Sequence, residues 1–334
     1  LTFMSKAPVT IYRDKDARLS FLKNKTIAIL GYGSQGWAQA LCLRDSGMKV
    51  IVGLSAVSRS RPIARKDGFR VFSVKEAVKQ GDLIAFLFPD HLHQEVFRDS
   101  IRPYLRPGQA LIFAAGFSVH FNLIKPPKFV DVILVAPHSP GITLRKLFLM
   151  HKGVPAYLAV KQDFSGQAKK LSLAYSNALG CTKAFVMETS FEREALGDLF
   201  GEQAVLCGGL SELVRAGFDT LVKKGLPPEN AYLEVLHQLD LLVNLLKEKG
   251  VAGLYQEISL LAAYGSYKNA KRIITPKTRR EMEKIFSEIK SGKFARQFMK
   301  DYTGGLIGFR NFLAGNKNLL IDKTAFRFRK NLPR

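Results

Sequence analysis

A chain of 334 residues with 47% hydrophobic content has enough apolar material for two cores, which excludes disorder as its default state and favours two domains over one. Its apolar runs, such as Ala204-Val205-Leu206-Cys207 and Leu241-Leu242-Val243, stop far short of the roughly 20 residues of a membrane helix, so no membrane span is expected. The net charge of +23 suits nucleic acid, anionic substrates or a basic proteome alike. Its basic residues thicken from Lys268 to Lys330 with no zinc-finger or RNP-type motif, so they read as a solvated face and nucleic-acid binding is not favoured.

In chain order, Leu1 to Lys6 carries neither a secretory signal nor an acylation signature, and a cytoplasmic location is expected. Short, nearly continuous apolar runs then predict strands at Thr26 to Leu30, Lys49 to Val52, Leu83 to Phe88, Ala110 to Phe113, Val132 to Ala136, Ala156 to Val160 and Lys183 to Val186. Alternating with helix-like segments, they describe parallel βαβ units with both sheet faces covered. After the first strand, Gly31-Tyr32-Gly33-Ser34-Gln35-Gly36 opens a helix, the context that gives a G-x-G-x-x-G match its meaning. The first glycine makes the tight turn, the second admits a pyrophosphate to the backbone, and the third, Gly36, lets helix and strand pack. A glycine-rich turn without ligand is the competing reading.

A site preferring NAD places an acid at the end of the second strand. The chain instead reads Gly53-Leu54-Ser55-Ala56-Val57-Ser58-Arg59-Ser60-Arg61, whose hydroxyls and guanidinium groups suit a 2′-phosphate. NADP(H) is therefore expected; a solvated basic loop is the alternative.

Beyond Glu188 the pattern turns helical, over Asp198 to Gly217, Pro228 to Lys249, Ile258 to Lys268 and Lys277 to Ser291. The domains are read as 1–189, an α/β Rossmann-type domain, and 190–334, all-α. Asp198 and Glu202 stand four apart in an apolar helix, which puts both carboxylates on one face. If buried they need protons, cations or a hard metal such as Mg2+. Glu234 and Gln238 repeat the spacing with an amide as second member. Either pair can equally be a surface acid pair. Cys42, Cys181 and Cys207 have no metal-ligand or redox spacing and read as reduced core residues.

These segments, with Leu43-Arg44-Asp45-Ser46-Gly47, Val135-Ala136-Pro137, Asp198 through Leu210 and Ala216-Gly217-Phe218, resemble the short-class ketol-acid reductoisomerases from about Val9 onward. The resemblance implies a knotted helical domain, a homodimer or higher homo-oligomer with acidic ligands from both subunits, NADPH and two Mg2+. It also implies 2-acetolactate or 2-aceto-2-hydroxybutyrate as substrate in valine and isoleucine synthesis, with alkyl migration preceding hydride transfer. By position, Tyr32, Gly33, Ser34 and Gln35 would hold the pyrophosphate region, Ser58 and Ser60 the 2′-phosphate, and Asp90 the adenosine side. Ser55 and His93 stand where a basic residue and a glutamine are common, and Gly141 would lie at the nicotinamide end. Asp198 would bridge both metals, Glu202 and Glu234 would each bind one, and Ser259 would contact the substrate carboxylate.

Three departures bear on activity. Ala114-Ala115-Gly116-Phe117-Ser118 replaces Ala-His-Gly-Phe-Asn, so the family's proton-transfer histidine is Ala115. His138 takes the place of a lysine, exchanging a fixed charge for a mostly neutral ring, and Gln238 replaces a carboxylate ligand of the second metal. Leu260 and Leu261 also replace polar residues beside Ser259, while His120 reads as structural. The readings are thus a reductoisomerase with an altered site, an NADP-binding paralogue that reduces another 2-keto acid, or a non-catalytic nucleotide-binding or interaction protein.

Overall fold

The computed structural model describes residues 9–331; the reading of Leu1 to Lys6 lies outside them. The chain divides into two units, Leu1–Ala195 and Leu196–Arg334.

The first unit is built on nine strands: β1 (Ile11–Tyr12), β2 (Thr26–Leu30), β3 (Lys49–Gly53), β4 (Val71–Phe72), β5 (Leu83–Phe86), β6 (Ala110–Phe113), β7 (Asp131–Pro137), β8 (Ala156–Gln162) and β9 (Val186–Glu188). Their order is β1-β9-β8-β7-β6-β5-β2-β3-β4. Each central strand feeds two cores by alternation. Ile27, Ile29, Leu83, Ala85, Ala110 and Ile112 face one, whereas Ala28, Leu30, Ile84, Phe86, Leu111 and Phe113 face the other. Every fully buried Leu or Ile in such a sheet contributes about 1.5–3 kcal/mol, so the continuous apolar runs set the centre of the fold.

The all-parallel expectation holds from β4 through β7 and fails beyond. β8 runs antiparallel to β7, with Ala156 opposite Pro137, and β1 pairs antiparallel with β9. The nine-residue helix Gly141–Leu149, followed by left-handed His151 and Gly153, returns the chain to the same sheet edge, where a βαβ crossover would carry it to the opposite one. The expected strand Lys183 to Val186 also shifts. Left-handed Gly180 starts a helical turn, Cys181–Ala184, and pairing begins only at Val186. The two-residue strands β1 and β4 are too short to leave a periodic signal.

The second unit is helical throughout its described residues. The helices Phe191–Gly201 and Gly208–Lys223 are joined by a π-helical turn, Glu202–Leu206. A second π-turn, Leu233–His237, joins Pro228–Tyr232 to Leu239–Glu257. Where the sequence reads two uninterrupted helices, each therefore contains an i→i+5 turn, a device common at functional sites. The helix expected from Ile258 starts at Leu260 because Ser259 caps it, accepting from the Ala262 N–H at 3.2 Å. Phe218, Ala231, Tyr232, Ile321 and Ala325 form a small core, with Tyr232 stacked on Phe328. Leu260 and Leu261 are 86% and 83% exposed, and Val251, Tyr267 and Ile307 also stand in solvent. Cys42 and Cys181 are buried as expected, but Cys207 is exposed, because it closes a π-turn on the outer side of its helix. No helix among the described residues is long and apolar enough to cross a membrane.

Candidate active site

Strands β2, β3 and β4 step one way across the sheet and β5, β6 and β7 the other, so the direction reverses between neighbours β2 and β5. At such a switch point the loops beyond the strand ends diverge and leave a crevice. A cleft of about 630 Å³ lies there, lined by residues following β2, β3, β5 and β6. It gathers Gly31, Tyr32, Gly33, Ser34, Gln35, Ser55, Ser58, Ser60, Asp90 and His93. Gly36 and Gly141 lie outside the lining, and each has a packing reason to be glycine.

The cradle is made of backbone. Gly31 sits at φ +95°, and a Cβ there would come within 2.5 Å of the Leu87 carbonyl oxygen. At Gly36 a Cβ would collide with the carbonyl of Gly31, and at Gly141 with that of Ser34. Gly33 is the N-cap of helix Ser34–Asp45, so the helix's first N–H groups and positive dipole end stand at the cleft, as a pyrophosphate requires. Several expected contacts turn out to brace this loop. The Tyr32 hydroxyl donates to Asp67 at 2.8 Å; burial first, then that bond, hold its pKa well above the ordinary tyrosine value. Gln35 donates to the Ser139 carbonyl at 2.8 Å and accepts from Gln39, which accepts from buried Tyr175. Ser34 Oγ accepts the Gly141 N–H at 3.0 Å.

At the end of β3, Ser55 is exposed and Ser58 and Ser60 half-buried, all on the cleft. Arg61 turns inward, donating to the Leu54 carbonyl at 2.9 Å, and so braces the serine loop. Arg59 is exposed.

The loop after β6 brings Ala114 and Ala115 into the cleft, where Ala115 can carry no proton. A carboxylate that sequence reasoning passed over fixes this loop. Glu194, 4% exposed, accepts the Gly116 N–H at 2.5 Å. In the sequence Glu194 looks like an ordinary first-turn helical acid, and only the long-range pairing reveals it. His93 is buried beside the same loop, with Nδ1 2.7 Å from Ser118 Oγ. His138 follows β7 with its ring edge-on to Tyr157, and it is exposed. His120 packs against Phe121.

In the second unit Asp198 and Glu202 share a helix, and Glu202 opens the first π-turn. Glu234 lies in the second, which Gln238 closes. All four side chains are exposed, so the picture of carboxylates buried in an apolar helix does not hold for one chain. Among the described residues no group of three or more His, Cys, Asp or Glu comes together as a metal centre. Ser259 is exposed; its oxygen caps a helix while its hydrogen remains available to donate.

Residues 21–185 match the family model described as acetohydroxy acid isomeroreductase, NADPH-binding domain, and residues 191–334 match ketol-acid reductoisomerase, C-terminal domain. The chain belongs to the ketol-acid reductoisomerase family. A ketol-acid reductoisomerase (NADP(+)) from Petrotoga mobilis is 46% identical over 325 residues, 97% of this chain and 98% of the relative. An NADH-preferring ketol-acid reductoisomerase from an uncultured archean superposes with a TM-score of 0.94 at 39% identity, covering 97% of this chain and 100% of that one. A semialdehyde dehydrogenase NAD-binding protein from Cupriavidus necator, at 18% identity and a TM-score of 0.61 over 80% of this chain and 99% of that one, shares the fold alone. Ketol-acid reductoisomerases are NADP-dependent oxidoreductase–isomerases that use NADP(H) and Mg2+. The cradle closed by Gly31 and Gly36 fits a dinucleotide. The oxygen donors Asp198, Glu202 and Glu234 fit Mg2+ in chemistry, although one chain does not gather them.

Proposed function

We propose that the protein is a ketol-acid reductoisomerase that converts 2-acetolactate or 2-aceto-2-hydroxybutyrate to the dihydroxy acid with NADPH, in branched-chain amino-acid synthesis. The observation that carries this is a dinucleotide cleft at the switch point of a chain whose two halves match the two domains of one family. The reaction moves an alkyl group between adjacent carbons and then adds hydride from NADPH to the resulting ketone, the alkoxide taking a proton.

In this reading Gly31 to Gly36 and the helix behind them hold the pyrophosphate, Ser55, Ser58 and Ser60 the 2′-phosphate, Asp90, with His93 buried behind it, the adenosine side, and Gly141 the nicotinamide end. Asp198, Glu202 and Glu234 hold Mg2+, with Gln238 offering a neutral amide oxygen to the second ion. The ligand set is completed by a second copy of the chain, whose docking would also cover the apolar side chains left in solvent on the helical unit. Magnesium, when bound, supplies positive charge to oxygens that become anionic during the migration. Ser259 donates its hydroxyl hydrogen to the substrate carboxylate. Glu194 holds the loop of Ala115, and His138 supplies an imidazole ring where the family has a lysine. Loss of one positioned acid–base group costs about 10²–10⁴ in rate, which slows such an enzyme without removing its metal-dependent step.

The test is purified protein with NADPH, Mg2+ and 2-acetolactate, following cofactor oxidation, together with sedimentation of the native protein. Substrate-dependent oxidation that a chelator stops, in a dimer or larger assembly, is expected. Reduction of simple 2-keto acids in the presence of chelator would establish the alternative of a plain NADPH-dependent reductase, which the alanine at 115 and the amide at 238 favour. NADPH binding without turnover on either substrate class would make the protein a non-catalytic nucleotide binder.

A further inference from the structure

The His93 imidazole bridges two loops that wall the cleft. It is 3% exposed, its Nε2 lies 2.9 Å from the Phe88 carbonyl oxygen, and its Nδ1 lies 2.7 Å from Ser118 Oγ. Phe88 belongs to the loop after β5 that carries Leu87 to Asp90 into the cleft, and Ser118 to the segment after β6 that carries Ala114 and Ala115. Only one proton arrangement satisfies both partners in full. A carbonyl can only accept, so Nε2 bears the hydrogen; Nδ1 of a neutral ring then accepts from the Ser118 hydroxyl, itself fully buried. The rings of Phe86, Phe88 and Phe113 surround the imidazole and supply no alternative acceptor.

We propose that His93 and Ser118 form a neutral donor–acceptor latch that fixes the two walls of the cleft against each other, making His93 a positioning residue for NADPH. The proposal rests on reading the cleft as the NADPH site. In the neutral ring the serine hydroxyl is the donor of this bond, and a side chain that cannot accept at the position of Nδ1 would leave that buried hydroxyl without its partner. Burial holds the ring below the ordinary histidine pKa, against the pull of Asp90. The titratable or charged groups facing it are Asp90, with Oδ1 3.7 Å from Nδ1, and His91 on the same turn; β5, β6 and the 117–120 helix present Phe86, Phe113 and Ser118, which carry no charge.

The experiment measures NADPH affinity of the full chain by fluorescence titration at constant pH. Histidine 93 is replaced by leucine, which keeps apolar volume and removes both hydrogen bonds, and by glutamine, which can donate to one partner and accept from the other without titrating. His93→Leu is expected to weaken binding about tenfold and Ser118→Ala about fivefold at pH 8. The double variant should be no worse than His93→Leu alone, because the two residues act as one. His93→Gln should recover most of what leucine loses. Equal loss in the leucine and glutamine variants, or fully additive losses in the double variant, would each overturn the latch. Ser118→Ala, a small change, keeps the test decisive should leucine disturb folding. A wild-type protein that binds no NADPH at all would instead overturn the reading of the cleft, and the latch with it.

Discussion

The two units manage their apolar surface in opposite ways. In the first, a sheet covered on both faces buries its strands almost completely, and the cleft is assembled from loops of that same sheet. In the second, among the described residues, a small cluster around Phe218 and Tyr232 is buried while leucines, tyrosines and isoleucines remain in solvent and no group of three or more acidic or other metal-ligating side chains comes together. A nucleotide site made of backbone turns at strand ends is therefore specified within one chain's fold. Carboxylates spread over exposed helix faces, by contrast, take their surroundings from whatever covers those faces.

The comparison can be broken most severely at Asp198. Asp198→Asn is expected to lower turnover about a thousandfold, as removal of several kcal/mol of electrostatic stabilisation implies, while NADPH affinity stays within about twofold because Asp198 is not among the residues that line the cleft. A parallel collapse of NADPH binding in titration would show that the units do not act separately. The converse variant, Ser58→Ala with Ser60→Ala, should weaken NADPH about 10- to 100-fold through lost hydrogen bonds to a charged phosphate, and leave NADH affinity almost unchanged. Equal effects on both cofactors would move the 2′-phosphate elsewhere. Restoring a proton carrier with Ala115→His should raise kcat about tenfold in steady-state assays, the low end of an acid–base contribution, because the surrounding loop is adapted to alanine. An unchanged kcat would mean that proton transfer does not limit turnover. The smallest effect is a thiol count. One cysteine of the native chain, Cys207, should react with a disulfide reagent at neutral pH. Cys42, whose thiol burial pushes up to about 11, and buried Cys181 should react only after unfolding. Prompt reaction of either would show that the sheet unit opens more readily than its packing implies.

Legibility in the sequence follows the range of the interactions involved. Strands β2 and β6 are found to the residue because their apolar character is local and both faces are covered. The glycine cradle is legible because Gly31 and Gly36 answer to steric demands of their own turn. The reversal at β8 is not, since it depends on where Ala156 lands beside Pro137. Glu194 and the His93–Ser118 pair stay hidden because partners 78 and 25 residues away give them their meaning. Asp198 and Glu202 are visible as a pair of acids, but their environment is not. An apolar helix in sequence can face its own core or another copy, and periodicity does not distinguish the two.

The π-turns at Glu202–Leu206 and Leu233–His237 carry a consequence for how the helical unit tolerates genetic change. Closure from i to i+5 takes up one residue more than an α-helical turn needs. Loss of a single codon there, at Val205 or Val235, can be absorbed by rewinding the turn into regular helix. Because each residue of an α-helix advances about 100° around the axis, a deletion absorbed in this way leaves the downstream side chains in phase with those before the turn, so the faces of the helix are kept. Loss of a codon in the regular turns on either side has no spare residue to draw on, and would be felt as a break in the helix or a displaced loop.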